Sequence, residues 1–304
     1  MKAVQFREYG PADVLETADV PEPHAGPDQV RVAVRAAGVN PVDWKIRSGA
    51  SRAAFPIPLP HVPGMEAAGV VDQVGAGVTG VRIGDEVFGA AQHATAERAV
   101  LDVWHPKPAA MSWAEAGALS MAVETATRGL DLLGLSAGET LLVNGAAGGV
   151  GLSAVQLALG RGLVVVGTCG PGNVEHLQGL GARATTYGPG LAERLASLGI
   201  GTVDGALDVA GVDALRELLA LTGSPERVVS IGDGTAPALG IRFTTGAEGR
   251  AFHGLAEAAA LAEEGRFRLP VAGAWPLEQA AEAHRASERG HVLGKYVVLV
   301  DPTT

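Results

Sequence analysis

The chain has 304 residues and a mass of 30.8 kDa, room for two domains at roughly 100–200 residues each. Hydrophobic residues make up 47%, which excludes a disordered chain and supplies a sizeable core. Against 33 Asp+Glu stand 23 Lys+Arg, a net charge of −10, and aromatics are only 4%, so neither nucleic acid nor a membrane surface is an expected partner.

The N-terminal MKAVQFREYG has no apolar signal core, and no apolar run approaches the ~18 residues of a spanning helix. The expectation is a cytoplasmic chain. The first ~120 residues alternate apolar and polar positions between frequent turns, the pattern of a β-rich domain. Val30, Val32 and Val34 make a half-buried strand of 29–35, and 69–74 and 86–88 are further strands. Ser112 and Glu115 form a capping box that opens a helix running to Leu133. Short, wholly apolar strands then alternate with helices. Strands are expected at 140–144, 163–167, 203–207 and 227–231, and helices at 151–159 and 174–180. That rhythm means βαβ units and a parallel sheet buried on both faces. An Ala-rich helix is expected at 254–265, another helix at 277–288 and a last strand at 295–300. The pattern of that strand matches the N-terminal block, so the chain is expected to return to its first domain. The fold class is therefore α/β, a β-rich domain joined to a doubly wound parallel sheet.

The sharpest motif is LLVNGAAGGVG, 141–151: an apolar strand, a small-residue loop and a helix. Ala146, Gly148 and Gly151 occupy the three positions of a dinucleotide fingerprint, with Ala147, Gly149 and Val150 between them. Small residues let the backbone turn tightly and approach a pyrophosphate, and the helix N-terminus offers free N–H groups. An NAD site usually carries a carboxylate about 20 residues on, for the ribose 2′-hydroxyl. Here the next strand ends Val166-Gly167-Thr168-Cys169-Gly170, and the first carboxylate is Glu175. Nothing there repels a 2′-phosphate, so NADPH is expected over NADH, with Thr168, Asn173 and Tyr187 as candidate donors and Cys169 in the same segment. No Arg or Lys lies between Gly162 and Gly181.

Five separated blocks occur in order: AAGVNPVDWKIRSG (36–49), PGMEAAGVV (63–71), IGDEVFG (83–89), AAGGVG (146–151) and GHVLGKYV (290–297). On these the chain resembles the zinc-independent quinone oxidoreductases of the medium-chain dehydrogenase/reductase family. The resemblance covers nearly the whole chain. It implies a GroES-like domain from 1–120 and 269–304, a Rossmann NADP-binding domain from 121–268, and an active site in the cleft between them. It also implies a homodimer paired through Rossmann edge strands, with 239–245 as the candidate edge.

Zinc members of the superfamily carry Cys where Asn40 stands and His where Met65 stands. Amide and thioether do not replace thiolate and imidazole, and Cys169 is the only thiol, so no zinc is expected. Without a Lewis acid, hydride delivery to an electron-poor quinone or enone is favoured over alcohol oxidation. The resemblance places Asn40 against nicotinamide and substrate; alternatively it only forms the turn before Pro41. Asp43 either orients Asn40 or caps that turn. Lys45 is a candidate donor to an enolate oxygen or an exposed lysine, and Trp44 lines the site or the core. Thr125 matches a cofactor-contacting Thr. Glu66 reads as a buried, paired carboxylate. Gly211, Ser230, Ile231 and Gly232 follow later Rossmann strands and face the ribose and nicotinamide. Lys295 approaches the cofactor or pairs with a carboxylate. Two alternatives use the same features: an enoyl-thioester reductase, and an NADPH-binding sensor without turnover.

Overall fold

The computed structural model describes residues 1–53, 56–211 and 213–300. In chain order, β1 (Lys2–Gln5) and β2 (Glu16–Asp19) form an antiparallel ribbon. β3 (Val30–Val39) leads into the short helix α1 (Pro41–Arg47). β4 (Glu66–Val74), β5 (Glu86–Gln92) and β6 (Arg98–Pro106) follow, then α2 (Trp113–Gly117) and α3 (Ser120–Leu133). β3 outruns its expected end because Ala36, Ala37, Gly38 and Val39 stay buried and paired with β4 and β14.

The Ser112–Glu115 capping box closes the first turn of α2 from both sides. The helix does not run on to Leu133 as the sequence suggests. Gly117 lies so close to β3 that a Cβ there would stand 2.6 Å from the Ala36 carbonyl oxygen. The chain breaks at Ala118 and restarts as α3.

The middle of the chain alternates strand and helix: β7 (Thr140–Asn144), α4 (Gly149–Gly160), β8 (Val164–Cys169), α5 (Val174–Gly179), β9 (Arg183–Thr186), α6 (Leu191–Ser197), β10 (Gly205–Asp208), α7 (Leu215–Thr222), β11 (Val228–Ser230), β12 (Arg242–Phe243) and α8 (Gly254–Glu263). These six strands form one parallel sheet in the order β12-β11-β10-β7-β8-β9. Strand order reverses between β7 and β10, so their carboxyl ends flank the switch point where a doubly wound sheet takes its ligand. Leu142, Val166, Ala206, Leu218 and Val228 lie in its core. At the edge only Arg242–Phe243 pair, not all of 239–245. Leu239 belongs to a 3-10 turn that ends on left-handed Gly240.

The chain ends with β13 (Val271–Pro276), α9 (Ala280–Arg289) and β14 (Lys295–Leu299). β14 pairs antiparallel with β3, completing a sheet in the order β13-β14-β3-β4-β5-β6. β3 also pairs with β6, which closes four of its strands on one another around Val32, Ala67, Val87 and Leu101. Contacts divide the chain into two compact units, one of Met1–Met121 with Arg268–Thr304 and one of Ala122–Phe267. Residues 301–304, part of the expected 269–304 segment, lie outside the described residues.

Candidate functional site

The second unit carries a glycine loop between β7 and α4. Gly145 turns the chain at φ +92, and Val209 and Ala210 leave no room for a side chain there. Gly151 is a packing glycine: a Cβ on it would stand 2.2 Å from the Gly145 carbonyl oxygen and 2.7 Å from Ala146 Cα. Gly148 is different. Its φ of −76 suits any residue, and a Cβ on it would meet no protein atom within 4 Å. Neither backbone conformation nor protein packing demands glycine here; the space beside the loop is open. Gly148 is also the N-cap of α4 and has no side chain to satisfy the helix's first N–H groups. Open space over unpaired N–H donors at the positive end of a helix dipole fits a pyrophosphate. Ala146 and Ala147 are buried beneath it, while Val150 is half-buried.

Around the switch point a buried polar network joins the strand ends. Asp208 accepts from Asn144 Nδ2 at 2.9 Å, from Ser230 Oγ at 2.7 Å and from the Gly211 N–H at 3.1 Å. Thr168 Oγ1 donates to Asn144 Oδ1 at 2.7 Å and receives the Gly145 N–H. Gly211, at φ +66, and Gly232 approach so closely that a Cβ on either would strike the other's backbone. Ile231 donates its N–H to the Asp208 carbonyl. The hydroxyl protons of Thr168 and Ser230 are thus spent inside the protein, where they fix the loops. Asp208, the hub, gave no sequence motif.

Of the other candidate donors, Asn173 ends a 3-10 turn, and Tyr187 is 45% exposed just after β9. Burial, then Cys169, pushes the Tyr187 hydroxyl above its usual pKa, so it stays a proton donor. Cys169 is buried at the end of β8, and burial raises its thiol too. Thr125 is half-buried on α3, and its hydroxyl donates to Glu124 at 3.1 Å.

Glu124 precedes Thr125 on α3. The carboxylate is wholly buried, but Arg128 meets it at 2.8 Å, Arg250 at 3.2 Å and the Ala251 N–H at 3.2 Å. Burial alone would raise its pKa; the two guanidinium groups and the backbone donor hold it below the usual carboxylate value.

In the first unit, three strands assemble a buried cluster around Asn40. The register of β14 on β3, Tyr296 against Val39, brings Lys295 level with Asn40 one step beyond. The register of β4 on β3, Ala67 against Ala37, brings Glu66 level with Gly38. Gly38 makes the room: a Cβ there would stand 2.3 Å from Glu66 Oε1. Lys295 Nζ donates to Asn40 Oδ1 and, at 2.8 Å, to Glu66 Oε1. Asn40 Nδ2 donates to the same Oε1 at 2.8 Å, and Glu66 Oε2 accepts the Met121 N–H at 2.7 Å. Asp43 Oδ2 accepts the backbone N–H of Asn40 at 2.7 Å, fixing the turn into α1. Burial raises the Asp43 carboxyl to about 7 against the pull of its backbone donors and Lys295.

Lys45 stands apart from this cluster. It is exposed, with its ammonium 5.7 Å from the Trp44 ring centroid, and Trp44 is half-buried. Zinc does not fit the group at Asn40. The carboxylate that would ligate it already neutralises an ammonium and accepts two N–H groups, and the Asn40 oxygen is taken up by the same ammonium. Among the described residues, no three His, Cys, Asp or Glu side chains gather as a metal set.

Two family profiles match the chain: "Alcohol dehydrogenase GroES-like domain" over residues 26–127 and "Zinc-binding dehydrogenase" over residues 180–298. The chain is 40% identical over 200 residues to the 2-methylene-furan-3-one reductase of Solanum lycopersicum, covering 60% of this chain and 50% of that one. It is 36% identical to the spectinabilin polyketide synthase system protein NorB of Streptomyces orinoci, over 96% of this chain and 14% of that one. It thus spans half or less of the length of these two relatives. Against the quinone oxidoreductase of Mus musculus it is 31% identical, over 99% of this chain and 98% of that one. Among solved structures, the Escherichia coli quinone oxidoreductase complexed with NADPH superposes with a TM-score of 0.83 at 26% identity, over 99% of this chain and all of that one. The chain belongs to the medium-chain dehydrogenase/reductase family, among whose members its relatives include quinone oxidoreductases.

Proposed function

We propose that the protein is an NADPH-dependent reductase that delivers hydride to a quinone or an α,β-unsaturated carbonyl without zinc. The observation that carries this reading is the loop at Gly148, which is open to a ligand and set over the free N–H groups of α4. The second unit is the NADP-binding domain, and the first is the catalytic domain. Ala146–Gly151 hold the pyrophosphate; Asn173 and Tyr187 face the 2′-phosphate; the loops at Gly211 and Ser230–Gly232 border the ribose and nicotinamide, with Thr125 alongside. The absence of a carboxylate between Thr168 and Asn173 supports NADPH over NADH.

A bound nicotinamide supplies the hydride. Asn40 then offers an N–H to the acceptor's oxygen, where negative charge develops. Glu66 and Lys295 neutralise each other, and Asp43 holds the Asn40 backbone. With a buried ammonium beside Asn40 where zinc members bind their metal, the acceptor must already be electron-poor, as quinones and enones are. The names of the Solanum and Mus relatives accord with such acceptors.

The NorB match favours one second reading, an enoyl-thioester reductase, which uses the same hydride chemistry on a longer substrate. A homodimer through the edge at Arg242–Phe243 is part of the proposal, because that edge leaves main-chain groups to be covered. So is a cytoplasmic location. The test is a fluorescence titration with each dinucleotide. NADPH should bind at least tenfold more tightly than NADH, and tighter NADH binding would overturn the reading of the 168–173 segment.

A further inference from the structure

The cluster around Asn40 fixes more than a side-chain position. An asparagine amide has one end that accepts and one that donates, and which end faces which neighbour is decided by the neighbours' chemistry. Lys295 Nζ is donor only, so it must face Oδ1. Glu66 is held by that ammonium as a carboxylate, an acceptor only, so it must face Nδ2. The amide therefore has one permitted orientation. Its oxygen is consumed, one Nδ2 hydrogen is consumed, and the second Nδ2 hydrogen has no partner among the described residues. All three side chains are buried: Lys295 is 6% exposed, Glu66 0% and Asn40 8%. In so dry a setting a charge-assisted bond to Oδ1 draws electron density from the amide nitrogen, and the remaining N–H becomes a stronger donor.

We propose that Lys295 is a positioning residue that acts through Asn40, locking the amide and polarising its free N–H as the donor for the acceptor's oxygen. Glu66 completes the lock and keeps the ammonium neutralised. This rests on the reductase reading above and assigns the site its electrophilic group. Hydride addition forms a C–H bond at the β-carbon of an enone, the C=C pair moves between the α-carbon and the carbonyl carbon, the C=O π pair moves onto the oxygen, and the dinucleotide is left oxidised. The enolate oxygen is stabilised by the Asn40 N–H until the carbon takes a proton from solvent. A donor aimed at developing charge is worth most in such a step; removing one elsewhere costs about 10²-fold in kcat.

The experiment pairs kinetics with a spectroscopic readout that needs no turnover. A simple enone is bound to the NADP+ complex, and its carbonyl stretch is recorded by infrared difference spectroscopy. Wild type should show a red-shifted band. Asn40→Ala should lose the shift and about 10²-fold in kcat. Lys295→Met should lose part of the shift and about tenfold in kcat, with NADPH affinity unchanged. On the Asn40→Ala background, Lys295→Met should cost nothing further, because its effect passes through the amide. A merely structural lysine would instead give additive losses.

If Lys295→Met does not fold, Lys295→Gln, a neutral donor, should fall between it and wild type. The proposal is overturned if either folded Lys295 variant keeps the wild-type band and kcat, or if the double variant is additive. Those results leave the reductase reading standing. A wild type with the red-shifted band but no NADPH oxidation would instead overturn the reductase reading and leave the amide lock intact.

Discussion

Two buried titratable groups in the first unit pull stability in opposite directions with pH. Burial raises the Asp43 carboxyl from 3.8 to about 7. The folded protein then holds that proton more tightly than the unfolded chain does, so this contribution to stability is full below pH ~4 and falls away up to pH ~7. The shift is equivalent to about 4 kcal/mol across that window. Asp43→Asn should abolish this pH slope, which denaturant melts at pH 5 and pH 8 would show; an unchanged slope would assign it elsewhere. His284 does the reverse. It is 1% exposed on α9, and burial together with Arg47 lowers its pKa to about 3. Its contribution is full above pH ~6.5 and is lost as pH falls toward 3. His284→Gln should therefore blunt acid unfolding in the same melts. At Glu124, two arginines depend on one buried carboxylate. Glu124→Ala should cost about 3 kcal/mol, because it leaves the buried Arg128 guanidinium without its anion.

At the scale of elements, two glycines three residues apart give a sharp contrast. Gly151→Ala forces a Cβ against the Gly145 oxygen and Ala146 Cα, backbone atoms that cannot move aside, and should lower the melting temperature markedly. Gly148→Ala meets no protein atom and has an ordinary φ. It should melt like wild type yet bind NADPH at least tenfold more weakly in a titration. Retained affinity would remove the pyrophosphate from this loop. The βαβ rhythm and the glycine loop were legible in the sequence because each is local: β7 occupies the expected 140–144, and α4 starts two residues before its expected 151. The split between α2 and α3 was not legible, because it follows from Gly117 meeting β3. The Lys295–Glu66 pair was left open because its partners are 229 positions apart and only strand register makes them neighbours. That Thr168 and Ser230 would turn inward was hidden for the same reason, since their partners, Asn144 and Asp208, lie on other strands.

For the whole molecule, the chain leaves its first unit at Met121, builds a parallel sheet, and returns at Arg268 to lay β14 against β3. The apolar pattern of the last strand, which matches the N-terminal block, made that return legible, and the pairing of β14 on β3 accounts for it. A dimer paired at the β12 edge should sediment at twice the 30.8 kDa chain mass, and a monomer at micromolar concentration would contradict it. The most direct test of the central claim is anaerobic NADPH oxidation by chelator-treated protein, measured with one ortho-quinone and one simple enone. The account predicts chelator-insensitive turnover with NADPH on at least one acceptor, and slower turnover with NADH. Turnover that vanishes with chelation and returns with zinc, or tight NADPH binding with no oxidation of either acceptor, would contradict it.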